Sequence, residues 1–117
     1  NMSLPMPKRV PEVGFYYHYK HDPSKGINDH AYEVVGVGFH TEDNAREGEA
    51  HFLVYRPLYE QNVYIAGKSL SIPSFDLRPL EMWMEEIEVN GKRTPRFQKI
   101  TDPQVIMKLE AIRAQMY

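Results

Sequence analysis

The chain has no cysteine, only one tryptophan and no long uninterrupted apolar run. Without cysteine there is no disulfide, no thiolate zinc site and no cysteine nucleophile. That composition fits a reducing compartment, and a cytoplasmic location is expected. No segment approaches the roughly 20 apolar residues that a membrane-spanning helix requires. Residues 2–13, MSLPMPKRVPEV, carry three prolines and nothing resembling the apolar core of an export signal. No membrane partner is therefore expected. Asn1 precedes Met2 and reads as an added residue. A basic excess is also missing: the net charge is -2 and the pI about 6.2. This disfavours a domain built to grip duplex phosphates. No serine sits in a nucleophile elbow, and no glycine-rich loop opens a helix. Gly36-Val37-Gly38 lacks the third glycine of a dinucleotide loop. No catalytic residue and no cofactor is expected.

What is present suits one small domain. The 117 residues are 42% hydrophobic and 26% charged, the balance of a globular protein. Aromatics reach 12%, eight of them tyrosine, which suits strands with one packed and one wet face. Nine prolines and seven glycines predict many short elements.

Residues 1–13 read as an extended arm, because Pro5, Pro7 and Pro11 push their predecessors away from helix. Residues 14–100 read as the folded domain. Phe15 to Lys20 alternates as a strand, with Phe15, Tyr17 and Tyr19 on one face and Tyr16 and His18 on the other. The stretch 21–30 is turn chemistry. Ala31 to His40 is a second strand, with Tyr32 and Val34 opposite Val35, Val37 and Phe39. Gly36 and Gly38 predict a bend there. His51 to Tyr55 is a third strand, and Val63 to Ala66 reads as a short fourth one. Pro79 opens a helical turn over 79–84 that aligns Leu80, Trp83 and Met84. Glu85 to Val89 alternates, and Asn90-Gly91 marks a hairpin. A two-residue loop sets Glu88 opposite Arg93 and Glu85 opposite Arg96. Residues 101–117 hold a helix near 102–116, capped by Thr101 or Asp102. Its stripe of Val105, Ile106, Leu109 and Ile112 must cover the domain or a partner, a second copy of the chain included.

Several strings occur in an order that resembles a bacterial family, the domain of unknown function numbered sixteen fifty-three. They are Tyr16 with His18-Tyr19-Lys20, Tyr32-Glu33-Val34-Val35-Gly36, His40-Thr41-Glu42, and Val54-Tyr55 with Leu58-Tyr59. Arg78-Pro79-Leu80-Glu81-Met82-Trp83 comes next, and then Gly91-Lys92 leading to Pro95-Arg96-Phe97. The resemblance spans residues 16–97 and implies a small SH3-like β-barrel with no assigned activity. Extra residues at 21–30, 43–49 and about 62–75, and the C-terminal helix, depart from the family pattern. The expected fold is thus mostly β, an SH3-like barrel with a helical turn and a C-terminal helix.

For function, the aromatics stand out. Tyr17, Tyr19, Tyr32, Phe39, Tyr55, Tyr59 and Trp83 exceed what so small a core can bury. Small barrels present such rings at a rim, as cages for cations or platforms for bases. A non-enzymatic binding module is expected, with Tyr17, His18, His40, Tyr55, Arg56 and Arg78 at its rim. Its partner would be a small ligand, a peptide or protein, or a single-stranded nucleic acid. The bland reading of each ring is core. A second reading is a small hydrolase or isomerase using His40, Glu42 and Glu81. A third is a structural or oligomerising domain. His40 and Glu42 supply two candidate ligands where a catalytic zinc needs three, so no metal is expected. Lys92, Arg93, Arg96 and Lys99 form a basic strip that Glu85 and Glu88 are placed to balance.

Overall fold

The computed structural model describes residues 7, 9–42, 45–46 and 49–117. Most of the arm at 1–13 and part of the 43–49 insertion fall outside them. Among the described residues, seven strands and three α-helices occur in order. They are β1 (Gly14–His18), β2 (Ala31–Phe39), β3 (His51–Pro57), α1 (Asn62–Leu70), β4 (Asp76–Pro79) and α2 (Leu80–Trp83). After them come β5 (Glu86–Val89), β6 (Lys92–Pro95), β7 (Phe97–Lys99) and α3 (Pro103–Met116). The fold is mostly β, as expected.

The strands form an open antiparallel sheet, ordered β4-β3-β2-β1-β7, and a separate β5-β6 hairpin. β4 and β7 are the sheet's edges and do not pair with each other, so the sheet is not closed into a barrel. It is packed on both faces instead. Tyr16, Val34, Leu53 and Tyr55 on one face meet Leu80, Trp83 and Phe97. Phe15, Ala31 and Leu58 on the other meet Ile100 and Leu109, with Val105, Ile106 and Ile112 of α3 packed around them. The alternation in β1 is therefore a division between two cores, since neighbouring strand residues point to opposite faces.

The bend in β2 is a bulge. Val34 pairs with Tyr55, but Gly36 rather than Val35 pairs with Val54. The extra residue reverses the facing of the rest of the strand. Val37 consequently packs against the same core as Val34, not on the opposite face as simple alternation predicts.

The expected strand at Val63–Ala66 is instead part of α1. Four consecutive apolar residues, Val63 to Ala66, fit either a strand or a helix. The ladder position beside β3 is taken by β4, leaving 62–70 to satisfy its backbone locally. Tyr64 is the buried anchor of this helix and meets the ring of Tyr117 edge-on at 5.6 Å. The helix ends at Leu70, with Ser71 in the left-handed region (φ 57°). The chain then folds back so closely that a Cβ on Gly67 would lie 3.1 Å from the Ile72 carbonyl oxygen.

Several other local expectations hold. The helical turn at α2 and the helix at α3 form, and the Asp102 carboxylate, rather than Thr101, caps α3 by accepting from the Gln104 N–H at 2.9 Å. In the hairpin Glu88 pairs with Arg93, and the Arg96 N–H donates to the Glu85 carbonyl at 3.2 Å. Asn90 and Gly91 both have positive φ, 51° and 79°, as a tight two-residue turn demands. A Cβ at Gly91 meets nothing within 4 Å. Gly91→Ala should therefore lose stability through backbone strain alone, about 1–2 kcal/mol. Urea unfolding of the variant checks this.

Candidate functional site

The face of the sheet that carries Trp83 holds a cluster of rings and cations around Phe97. Trp83 stacks flat on Phe97 at 3.6 Å between centroids. His18 meets the Phe97 ring edge-on at 5.1 Å, Tyr55 lies at 6.2 Å, and the Arg78 guanidinium lies 5.5 Å from the centroid. Register explains the gathering. Leu53 pairs with Arg78 and Tyr55 with Asp76, while His18 pairs with Phe97. Four strands, β1, β3, β4 and β7, thus point these side chains to one side.

Hydrogen bonds fix the cluster. Arg78 Nε donates to the Tyr55 hydroxyl at 3.3 Å. The Tyr32 and Tyr59 hydroxyls share a 2.5 Å hydrogen bond. His18 Nδ1 accepts from the Lys20 N–H at 3.1 Å, which leaves Nε2 to carry the proton of the neutral ring. The ring of His30 lies 5.6 Å from that of His18, and His30 Nδ1 is 3.0 Å from the Asp29 carboxylate.

The electrostatics arise from burial and like charge. His18 is lowered to about 4, by burial first and then by His30, Lys20, Arg78 and Arg96. Burial raises the Asp76 carboxyl, against the opposing pull of Arg78. Burial also raises the Tyr55 hydroxyl, and it raises Tyr59 together with the hydrogen bond to Tyr32. Asp29 is lowered by the hydrogen bond from the Asp22 N–H and by His30.

His18 gives a pH test. Its pKa is about 4 in the folded chain and 6.5 as the reference. Between those values the unfolded chain binds more protons, so stability rises with pH across that window. The contribution is complete above 6.5 and is lost as pH falls toward 4. The urea midpoint should fall more steeply between pH 6.5 and 4 in the native chain than in His18→Asn, whose amide oxygen can still accept from Lys20. Parallel profiles would contradict the buried, neutral imidazole.

Of the six residues expected at a rim, His18, Tyr55 and Arg78 come together here. Tyr17 and Arg56 are on the other face. Tyr17 donates its hydroxyl proton to the Ile27 carbonyl and stacks on His21 at 3.6 Å. Arg56 Nε donates to Glu33 at 2.9 Å and lies 3.9 Å from the Tyr117 ring centroid. His40 sits just past the end of β2, its ring 6.1 Å from that of Phe52 and its Nδ1 accepting from the Glu42 N–H at 3.1 Å. Glu81 is exposed in α2, and among the described residues no hydrogen bond or ion pair joins it to His40. Nor do any three metal-ligating side chains gather there. His30, Arg96 and Phe97 are the members that sequence reasoning missed. The basic strip is largely matched: Arg93 is 3.4 Å from Glu86, Arg96 is 3.7 Å from Glu85 and Lys99 is 4.0 Å from Glu12.

Beside the cluster lies a cavity of about 610 Å³ between Arg9 to Pro11 and the hairpin base. Of the seven rings expected at a rim, Trp83 lines it; Tyr16 and Phe97 line it too. Among the described residues no helix is long and apolar enough to cross a membrane.

Among curated proteins none matches the chain. A crystal structure of a protein belonging to DUF1653, from Bordetella bronchiseptica, is similar to it. The TM-score is 0.50 and the identity 22%, with 76% of this chain and 86% of that chain covered. That likeness is one of fold. The model of the family described as "Protein of unknown function (DUF1653)" matches residues 14–99. Those residues include every strand and the whole ring-and-cation cluster, and the chain belongs to the DUF1653 family.

Proposed function

We propose that the protein is a non-enzymatic binding module whose recognition surface is the face carrying His18, Tyr55 and Arg78, and that it takes an anionic group. One observation carries this reading. His18 and Arg78 both stand against the Phe97 ring, at 5.1 and 5.5 Å, and the His30 ring lies 5.6 Å from His18; burial first, and then the positive charges of His30, Lys20, Arg78 and Arg96, lower the His18 imidazole. Such a concentration of positive potential beside low-dielectric rings attracts a carboxylate or phosphate. Arg78 is the primary contact, because its fork suits a planar or tetrahedral anion. Among the described residues it forms no ion pair with a carboxylate, and its one hydrogen bond holds Nε to Tyr55, leaving the two terminal nitrogens to donate. His18 offers Nε2–H as a neutral donor. The rings around Phe97 provide the apolar floor, the arrangement expected of a ligand site with few polar groups.

In this reading residues 14–100 are one domain and α3 belongs to it, since the apolar stripe of α3 lies on the sheet. The meander with its first strand between β2 and the last strand supports a curled, SH3-like arrangement. The Tyr19 N–H donates to the Arg96 carbonyl at 2.9 Å and the Arg96 N–H to Glu85. Those two bonds draw the hairpin toward the sheet, in the direction that a barrel would close. The cysteine-free composition supports a cytoplasmic setting.

The test is a titration with inorganic phosphate, monitored through the ring resonances of His18 and His30. Saturable shifts are expected, and Arg78→Gln should weaken binding at least tenfold. Equal affinity in the native chain and in Arg78→Gln would overturn the assignment.

A further inference from the structure

We infer that the cavity between the Arg9–Pro11 segment and the hairpin base is a binding site for a small molecule with a flat ring and an anionic substituent. This inference stands on the cavity and survives if the His18–Arg78 surface binds nothing. The space is about 610 Å³, the size of a small-ligand pocket. Its floor is aromatic. Tyr16, Trp83 and Phe97 all line it, and Tyr16 meets Trp83 edge-on at 5.6 Å. That floor favours a ring over a flexible aliphatic chain.

The walls specify the charge. Arg9 and Arg96 line the space together with one carboxylate, Glu86. Glu86 is already engaged by Arg93 at 3.4 Å. Arg9 has no ion pair among the described residues. Arg96 has its terminal nitrogen 3.7 Å from Glu85, but its Nε is buried without any hydrogen-bond partner among the described residues. A buried N–H left unpaired is costly, and few are found in folded proteins. An acceptor brought in by a ligand would relieve it. The side chains thus ask for an oxyanion near Arg96 and Arg9 and a ring against the aromatic floor.

Two sources share this chemistry, an aromatic carboxylate and a mononucleotide. Trp83 is the only tryptophan and lines the cavity, so its fluorescence reads occupancy directly. The full chain is titrated with benzoate and, separately, with adenosine monophosphate. Benzyl alcohol and inorganic phosphate serve as the ring-only and charge-only probes. At least one of the first two should change Trp83 emission saturably, at least tenfold more tightly than either control. The tighter of the two identifies the source. Arg9→Gln, outside every strand and helix, should weaken that binding at least fivefold without moving the thermal midpoint. Arg96→Gln should weaken it at least tenfold, and Arg78→Gln should leave it unchanged. The inference is overturned if neither probe saturates at millimolar concentration. It is also overturned if benzyl alcohol binds equally well, or if Arg9→Gln and Arg96→Gln bind like the native chain.

Discussion

Glu33→Ala is expected to destabilise the protein by about 3–5 kcal/mol, the cost of removing one partner from a buried ion pair. Glu33 sits on β2, the central strand of the sheet, with its side chain 11% exposed, and it holds two arginines at once. Arg56 Nε donates to Oε1 at 2.9 Å and Arg113 Nη1 to Oε2 at 2.6 Å. Arg56 comes from the neighbouring strand, in register opposite Glu33. Arg113 comes from α3, eighty positions away. The carboxylate therefore ties the helix to the centre of the sheet. Without it the Arg56 guanidinium, only 19% exposed, keeps a positive charge beside the rings of Tyr117 and Phe75, with no other ion pair among the described residues. Arg113 is 36% exposed and can turn to water, so Arg113→Ala should cost only about 1 kcal/mol, as for an exposed pair. Urea unfolding of the two variants separates the cases. A loss below about 1 kcal/mol for Glu33→Ala would mean that water reaches Arg56 and that the clamp contributes little.

Leu109→Ala is expected to cost about 2.7–5 kcal/mol, the range for deleting a fully buried leucine. Leu109 is 0% exposed and packs with Phe15, Ala31, Leu58 and Ile100. It is the only fully buried residue of α3, so its loss opens a cavity where the helix meets the sheet. Met107 on the same helix is 62% exposed, and Met107→Ala should stay within about 0.5 kcal/mol. The shape of the transition matters as well. Because Leu109 shares a core with β1 and β2, helix and sheet should unfold together in both variants. A separate early loss of helical signal in Leu109→Ala, with the midpoint of the sheet unmoved, would show that α3 is an appendage.

Local elements of this chain are legible in its sequence, and long-range ones are not. The Asn90-Gly91 turn fixes its own register, so the facing of Glu88 and Arg93 can be read from the residues alone. The stripe of α3 is legible for the same reason, because its four apolar residues repeat at the helical period. Residues 63–66 are not legible: a run of four apolar side chains does not distinguish strand from helix, and the outcome turns on β4 occupying the edge of β3. The bulge at Val35 is signalled only as a bend. Its reversal of facing, which places Val37 in the core, depends on pairing with Leu53 and not on local preference.

The same division holds at the site. His18, Tyr55 and Arg78 can be named as polar or aromatic strand residues, but their convergence rests on the order β4-β3-β2-β1-β7, which composition does not encode. Tyr17 and Arg56 look equivalent to them in sequence and lie across the sheet, because one step along a strand changes its face. Phe97, at the centre of the cluster, looks like the end of a hairpin. Its stacking on Trp83 joins residues fourteen positions apart and has no periodic signature.

The central claim is that the face around Phe97 is the recognition surface of this molecule. A two-dimensional NMR screen with a collection of small acids, alcohols and amines tests it most directly. The acids should bind best, and their shifts should concentrate at His18, His30, Arg78, Arg96 and Trp83. Shifts gathered around α1 and the end of α3, or equal binding by the amines, would contradict it.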